Sequence, residues 1–120
     1  MQLILITNAA NTIRYLTIGL AKSWNNEIVF VNPPYSKLAE WVEKAYNEAK
    51  TNMAHVIMLI PVRSDTKTWH SFVMKSNKII FIKGRLKFGG NKNSAPFPSC
   101  IIEFHPWSIN SPTIDVMSNK

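Results

Sequence analysis

Near-continuous apolar runs alternate with segments of helical periodicity along most of this 120-residue sequence, and this alternation restricts the fold more than any other feature. The apolar runs predict strands at Leu3–Ile6, Glu27–Val31, His55–Val62, Lys78–Lys83 and Cys100–Phe104. Helical spacing begins after Ser36, a good N-cap residue, and continues to about Lys50; a second helix is predicted over Lys67–Ser76. Strands that alternate with helices are typical of a three-layer α/β fold with a mostly parallel sheet.

The tetrapeptide Asn32-Pro33-Pro34-Tyr35 directly follows the second predicted strand. The Asn32 side-chain carbonyl and the Pro33 backbone carbonyl are hydrogen-bond acceptors, and an exocyclic amino group offers two hydrogens. The two prolines stiffen the loop, and Tyr35 supplies a flat face on which a planar base or amide stacks. This pattern predicts a slot that grips an amino group and exposes its lone pair for methylation. The alternative is a rigid turn, because Asn and Pro are common turn residues.

A net charge of +7, from 14 Lys and Arg against seven Asp and Glu, favours a polyanionic partner. The alternative is that many small basic proteins bind nothing in particular. No apolar run approaches the ~18 residues of a membrane span. The single cysteine, Cys100, excludes an internal disulfide and suits a reducing compartment such as the cytoplasm. Three scattered histidines without ligand spacing predict no metal site.

The predicted elements indicate one domain over residues 1–106 and a C-terminal tail over residues 107–120, where Pro112 and the weak periodicity predict loose order. A long segment, Gly84–Ser99, separates the last two predicted strands and interleaves basic with aromatic residues. That composition suits phosphate contact and base stacking. The alternative is a long solvated loop.

Three blocks of the sequence resemble the phage-type DNA N6-adenine methyltransferases. They are VNPPYSKLAEWVEKA (Val31–Ala45), IPVRSDTKTWH (Ile60–His70) and IKGRLKFGGNKNSAPFPSCIIEF (Ile82–Phe104), with a weaker match over Asn11–Trp24. The resemblance implies a Rossmann-like methyltransferase fold of phage or prophage origin that acts in a bacterial host cell. It also implies S-adenosylmethionine as cofactor and double-stranded DNA as substrate.

By the same resemblance, Asn32, Pro33, Pro34 and Tyr35 form the catalytic loop that holds a flipped adenine. Asn32 and Pro33 bind N6, and Tyr35 stacks on the ring. The residues implied to face DNA are Arg63, Asp65, Arg85, Lys87, Phe88 and Phe97. Asp65 is equally well explained as a helix N-cap, whereas Trp69 is better explained as a core residue and His70 as a structural residue.

The N-terminal part of the sequence departs from the family pattern. The resemblance implies an acidic residue at the end of the first strand, yet the first carboxylate of this sequence is Glu27. We therefore predict that the front of the fold is incomplete and that S-adenosylmethionine binds weakly or not at all. A partner chain or a missing N-terminal segment is expected to complete the cofactor pocket.

Three functions remain open at this point. The first is a site-specific DNA adenine-N6 methyltransferase, and the second is a catalytically silent remnant that only binds DNA. The third is an amino-methyltransferase that acts on RNA guanine N2 or on a protein glutamine, because similar loops serve those acceptors. The second and third matching blocks favour adenine in DNA.

Overall fold

Six strands form one sheet in the computed structural model, which describes residues 3–6, 19–87 and 96–118. The strands are β1 (Leu3–Ile6), β2 (Ile28–Val31), β3 (His55–Pro61), β4 (Lys78–Lys83), β5 (Ser99–Phe104) and β6 (Thr113–Ser118). Their order across the sheet is β1-β2-β3-β5-β4-β6. Five strands run in one direction, and β5 runs opposite to its neighbours β3 and β4. The sheet is therefore mixed, with mostly parallel strand directions.

Two α-helices are described over their full length, α1 (Leu38–Asn52) and α2 (Lys67–Ser71), and residues 19–21 are also helical. A 3-10 turn precedes α1 at Tyr35–Lys37, and another follows α2 at Val73–Lys75. The predicted N-cap at Ser36 is wrong, because Ser36 lies within the first 3-10 turn and α1 begins only after Lys37, which makes no capping bond through its side chain. No helix among the described residues is long and apolar enough to cross a membrane.

The hydrophobic core lies between the helices and one face of the sheet. Alternate strand residues on that face are fully buried, as at Val29, Met58 and Ile102. From the helical side, α1 contributes Trp41, which stacks on Trp24 with ring centroids 6.2 Å apart. Both helices pack on this face because successive right-handed crossovers move across the sheet in one direction.

The opposite face of the sheet is apolar but only partly buried. Its side chains, in register across the strands, are Leu5, Phe30, Ile57, Leu59, Ile80 and Ile101. Leu5, on the edge strand β1, is 57% exposed. The sequence predicted three layers; a second helical layer over this face is not found in the part of the chain that the structure describes.

The C-terminal segment joins the sheet instead of leaving it. Thr113–Ser118 forms β6, in parallel register with β4, although the sequence indicated a loosely ordered tail. The turn before β6 is held by Asn77, whose side chain accepts a hydrogen bond from the His105 N–H at 2.9 Å and donates one to the Trp107 carbonyl at 2.9 Å. Lys50 donates to the same carbonyl at 2.9 Å. These bonds fix the path of the chain from β5 to β6.

Candidate active site at the carboxyl edge of the sheet

Several segments singled out in the sequence meet at one edge of the sheet. The strands β1, β2, β3 and β4 end there, and the antiparallel β5 begins there. We call this side the carboxyl edge and the other side the amino edge. Three parts of the chain lie at the carboxyl edge: the Asn-Pro-Pro-Tyr loop (residues 32–35), Arg63, and both ends of the segment Gly84–Ser99, which we call the basic segment. Open α/β sheets bind their ligands at this edge.

The Asn-Pro-Pro-Tyr loop is anchored at both ends. The Asn32 N–H donates a hydrogen bond of 2.8 Å to the Ile6 carbonyl at the end of β1. The Pro34 carbonyl accepts from the Lys37 N–H at 3.1 Å and closes the 3-10 turn that follows. Pro33 is buried, whereas Asn32 and Pro34 are partly exposed. The backbone is thus fixed, and the Asn32 side-chain amide is accessible from solvent.

Tyr35 contacts a residue from a distant part of the chain. Its ring meets the ring of Phe97 edge to face, with centroids 5.0 Å apart and an interplanar angle of 89°. Burial raises the pKa of the Tyr35 phenol, and the positive charge of Arg63 opposes that increase. The structure therefore groups one residue from each of three segments, those after β2, after β3 and before β5.

The residues after β3 separate into structural and surface groups. Thr66, not Asp65, caps α2: its hydroxyl accepts from the Trp69 N–H at 3.2 Å and donates to the Arg63 carbonyl at 2.8 Å. Asp65 is exposed beside this cap, so the N-cap interpretation of Asp65 is wrong. Trp69 belongs to the core. His70 bonds through Nε2 to the Ser64 carbonyl at 2.8 Å, which is a local structural contact.

The basic segment is fixed where it enters and leaves the sheet. The Pro98 carbonyl accepts from the Val62 N–H at 2.9 Å, which continues the β3–β5 pairing beyond Pro61 and Ser99. At the other end, Gly84 turns the chain after β4 with a φ of 91°, a conformation that glycine adopts readily. Arg85 and Lys87 follow and are exposed. Phe88 lies outside the described residues.

One further basic residue at this edge was missed in the sequence. Lys37 is exposed in the 3-10 turn directly after Tyr35. Its position in the sequence could have revealed it. A residue that comes two positions after the loop at the end of a strand lies at the same edge of the sheet as that loop. Lys37, Arg63, Lys83, Arg85 and Lys87 give this edge five exposed cations.

Most of the carboxylates lie elsewhere. All seven acidic residues of the sequence fall in the described part of the chain, and two of them lie near the carboxyl edge: Asp65, and Glu40 in the first turn of α1. Glu27 immediately precedes β2 at the amino edge. Glu48 is buried, and its carboxylate accepts hydrogen bonds from the Trp24 N–H, the Ser23 hydroxyl at 3.3 Å and the Asn52 amide at 2.9 Å. The carboxyl edge is therefore suited to anions and poor in groups that bind ammonium or ribose hydroxyls.

A second polar cluster lies at the amino edge. His55 and His105 approach through their Nδ1 atoms at 3.1 Å, and His105 Nε2 lies 3.0 Å from Glu103 Oε1. Trp107 stacks on His105 with centroids 4.6 Å apart. Among the described residues no group of three or more potential ligands has the geometry to hold a metal ion.

Comparison with models of known protein families places these segments in context. A family model for DNA N-6-adenine-methyltransferase (Dam) matches residues 6–118, which include all three segments that meet at the carboxyl edge. No curated protein and no solved structure matches the chain.

Proposed function

The chain belongs to the DNA N-6-adenine-methyltransferase family, and on that premise we propose that it binds double-stranded DNA and methylates N6 of an adenine flipped into the Asn-Pro-Pro-Tyr loop. The observation that carries this proposal is the meeting of Tyr35, Arg63 and Phe97 beside that loop, at an edge whose exposed cations outnumber its acids. The family also favours adenine in DNA over guanine in RNA or a glutamine amide in protein.

The loop residues supply the chemistry at the amino group. The Asn32 side-chain carbonyl and the Pro33 carbonyl accept the two N6 hydrogens, and this leaves the nitrogen lone pair exposed. Tyr35 stacks on the flipped ring and offsets part of the few kcal/mol that extrusion of a base costs. Because the Ile6 carbonyl already holds the loop backbone, the Pro33 carbonyl is fixed before the base arrives, and only the Asn32 side chain has to orient.

The cations of the carboxyl edge hold the DNA backbone. Arg63 follows β3, the neighbour of β2, and Arg85 and Lys87 follow β4, two strands further across the sheet, while Lys37 extends the same edge beyond Tyr35. Asp65 and Phe88 complete the set that we propose to face DNA. Phosphate contacts of this kind orient a duplex without reading its sequence.

The methyl donor that the family implies is S-adenosylmethionine, but the acidic residues of this chain do not fit it. Ribose hydroxyls and an ammonium group need acceptors near the ends of β1 and β2, whereas the acids near that edge are Asp65, after β3, and Glu40, in the first turn of α1. We therefore assign no residue of this chain to the cofactor. A partner chain or a further N-terminal segment would supply the acids, and the half-exposed apolar face and edge strand β1 offer it a surface.

The shortage of acids supports a second candidate function. A chain that keeps the cationic edge but cannot hold a methyl donor would act as a silent DNA-binding protein that masks sites. Both candidates predict DNA binding, and only the first predicts a covalent product.

One experiment separates the two candidates. Duplex DNA is incubated with the full chain and S-adenosylmethionine, digested to nucleosides and analysed for N6-methyladenine by mass spectrometry. The same chain and DNA without S-adenosylmethionine serve as the control. The donor is supplied at a concentration high enough to load a weak site. Donor-dependent N6-methyladenine then supports the enzyme, whereas bound DNA without product shows that the chain by itself is silent. If the chain neither binds nor modifies DNA, both candidates are wrong.

A further inference from the structure

Phe97 contacts the residue that the proposed function places on the flipped base. The Phe97 and Tyr35 rings form an edge-to-face pair at 5.0 Å, and both side chains are partly buried. An aromatic pair in this geometry has a preferred orientation, which restricts the rotation of each ring. Tyr35 follows two prolines and has no other ring partner among the described residues.

The backbone that follows Phe97 is hydrogen-bonded into the sheet. The next residue, Pro98, accepts the Val62 N–H at 2.9 Å, and the residue after it, Ser99, pairs with Pro61. Phe97 is therefore tied to β3 and β5 within two residues. A ring held in this way stays in place whatever the exposed residues of the segment contact.

On the basis of the proposed function, we propose that Phe97 is a positioning residue, which holds the Tyr35 ring in the orientation that stacks on the target base. It acts through Tyr35 and not through DNA. Loss of the Phe97 ring then impairs the step at the base and leaves the grip on DNA unchanged.

The test replaces Phe97 with Leu, which keeps an apolar side chain but removes the ring. In the complete methylation reaction, kcat is expected to fall roughly two- to tenfold, the range that corresponds to one aromatic pair. The Kd for duplex DNA, measured by fluorescence anisotropy without methyl donor, is expected to stay the same. Phe97→Tyr retains a ring and is expected to restore kcat.

A matched control is available on the helical side of the sheet. Phe72→Leu makes the same substitution next to another tyrosine, Tyr46, whose ring lies 5.5 Å from that of Phe72. This variant is expected to keep the wild-type kcat. A weaker DNA Kd for Phe97→Leu at unchanged kcat would show that Phe97 contacts DNA, and would overturn the proposal. Equal losses of kcat in the Phe72 and Phe97 variants would do the same.

A second measurement requires neither a methyl donor nor activity, so it tests the contact between Phe97 and Tyr35 even if the proposed function is wrong. Tyrosine rings are isotopically labelled, and the Tyr35 signal is assigned with Tyr35→Phe. Phe97→Leu is expected to shift the Tyr35 ring resonances and to lower the pKa of its phenol toward the ordinary value, because the ring loses cover. Phe72→Leu is expected to shift the Tyr46 signal only. Unchanged Tyr35 signals in Phe97→Leu would mean that the aromatic contact does not exist in solution.

Discussion

At the scale of single residues, Asn32 is the side chain on which the proposed chemistry depends most directly. Replacing Asn32 with Ala is expected to reduce methyl transfer by ~10²–10³-fold, because one preorganised acceptor of the amino group is lost. The fold is expected to persist, since the bond to the Ile6 carbonyl uses the Asn32 backbone N–H. Initial rates of N6-methyladenine formation and a thermal unfolding curve measure the two effects.

The Asn32 experiment has controls at the same residue and at the other edge of the sheet. Asn32→Asp keeps a side-chain acceptor and is expected to lose much less activity than Asn32→Ala. Asn25→Ala removes an exposed amide at the amino edge and is expected to have no effect on the rate. An Asn32→Ala protein that methylates at the wild-type rate would remove the loop from the mechanism.

Cys100 makes the stability of the fold depend on pH at the alkaline end. Burial in β5 raises the pKa of its thiol from 9.0 to about 12. A raised folded-state pKa means that the neutral thiol is favoured in the native state, so this contribution is complete below about pH 9 and is lost as pH rises toward 12. The free energy of unfolding is expected to fall by up to about 1.4 kcal/mol per pH unit in that window.

Urea unfolding at several pH values, with Cys100→Ala as the comparison, measures the Cys100 contribution. The variant is expected to be less stable at neutral pH, because it leaves a cavity, but its stability should decline less steeply above pH 9. Ionisation of Tyr and Lys residues is common to both proteins and cancels in the comparison. Parallel pH profiles would show that the thiol is not responsible.

At the scale of elements, the turn after β4 is expected to set the strength of DNA binding. Replacing Arg85 and Lys87 with Gln is expected to weaken binding to all sequences about equally, because phosphate contacts carry no base information. If both residues contact phosphate, the slope of log K against log salt is expected to fall by about 1.8, or 0.9 per contact. Anisotropy titrations at several salt concentrations give this slope.

A charge-matched control at the amino edge isolates the effect of position. Lys22→Gln with Lys75→Gln removes the same net charge from exposed sites on the other side of the sheet. This control is expected to keep most of the salt slope. If both double variants lose affinity equally, net charge and not the β4 turn controls binding; if neither does, DNA binds elsewhere.

At the scale of the whole molecule, the distribution of acids determines what the chain can do alone. With no carboxylate at the ends of β1 and β2, the isolated chain is expected to bind S-adenosylmethionine weakly or not at all. Isothermal titration calorimetry of the cofactor into the chain, with and without duplex DNA, tests this. Micromolar or tighter binding would mean that backbone groups complete the pocket, and that no partner is needed.

The local sequence determined most of the strands and the position of the candidate site. The run Ile28–Val31 and the central part of Lys78–Lys83 are β-branched or aromatic, and they form strands at those positions because each buries one face in the core. The Asn-Pro-Pro-Tyr loop was recognisable because its stiffness and its acceptors are properties of four adjacent residues. Placement at the carboxyl edge followed from the strand–helix alternation.

Tertiary structure alone decided the features that depend on contacts between distant residues. The strand β6 was missed because its alternation is short and all six of its residues are exposed, Ile114 and Val116 by 58% and 65%. Contacts with distant residues hold it: backbone pairing with β4, the Thr113 hydroxyl that donates to the Asn77 carbonyl at 3.3 Å, and the Lys78–Asp115 ion pair at 3.7 Å. The Phe97–Tyr35 contact joins residues 62 positions apart, so no local pattern announces it. Whether Thr66 or Asp65 caps α2 depends on which side chain the folded backbone brings within hydrogen-bonding distance of the Trp69 N–H. The local sequence determines which element a single segment can form, whereas the pairing of distant segments is determined only when the sheet folds.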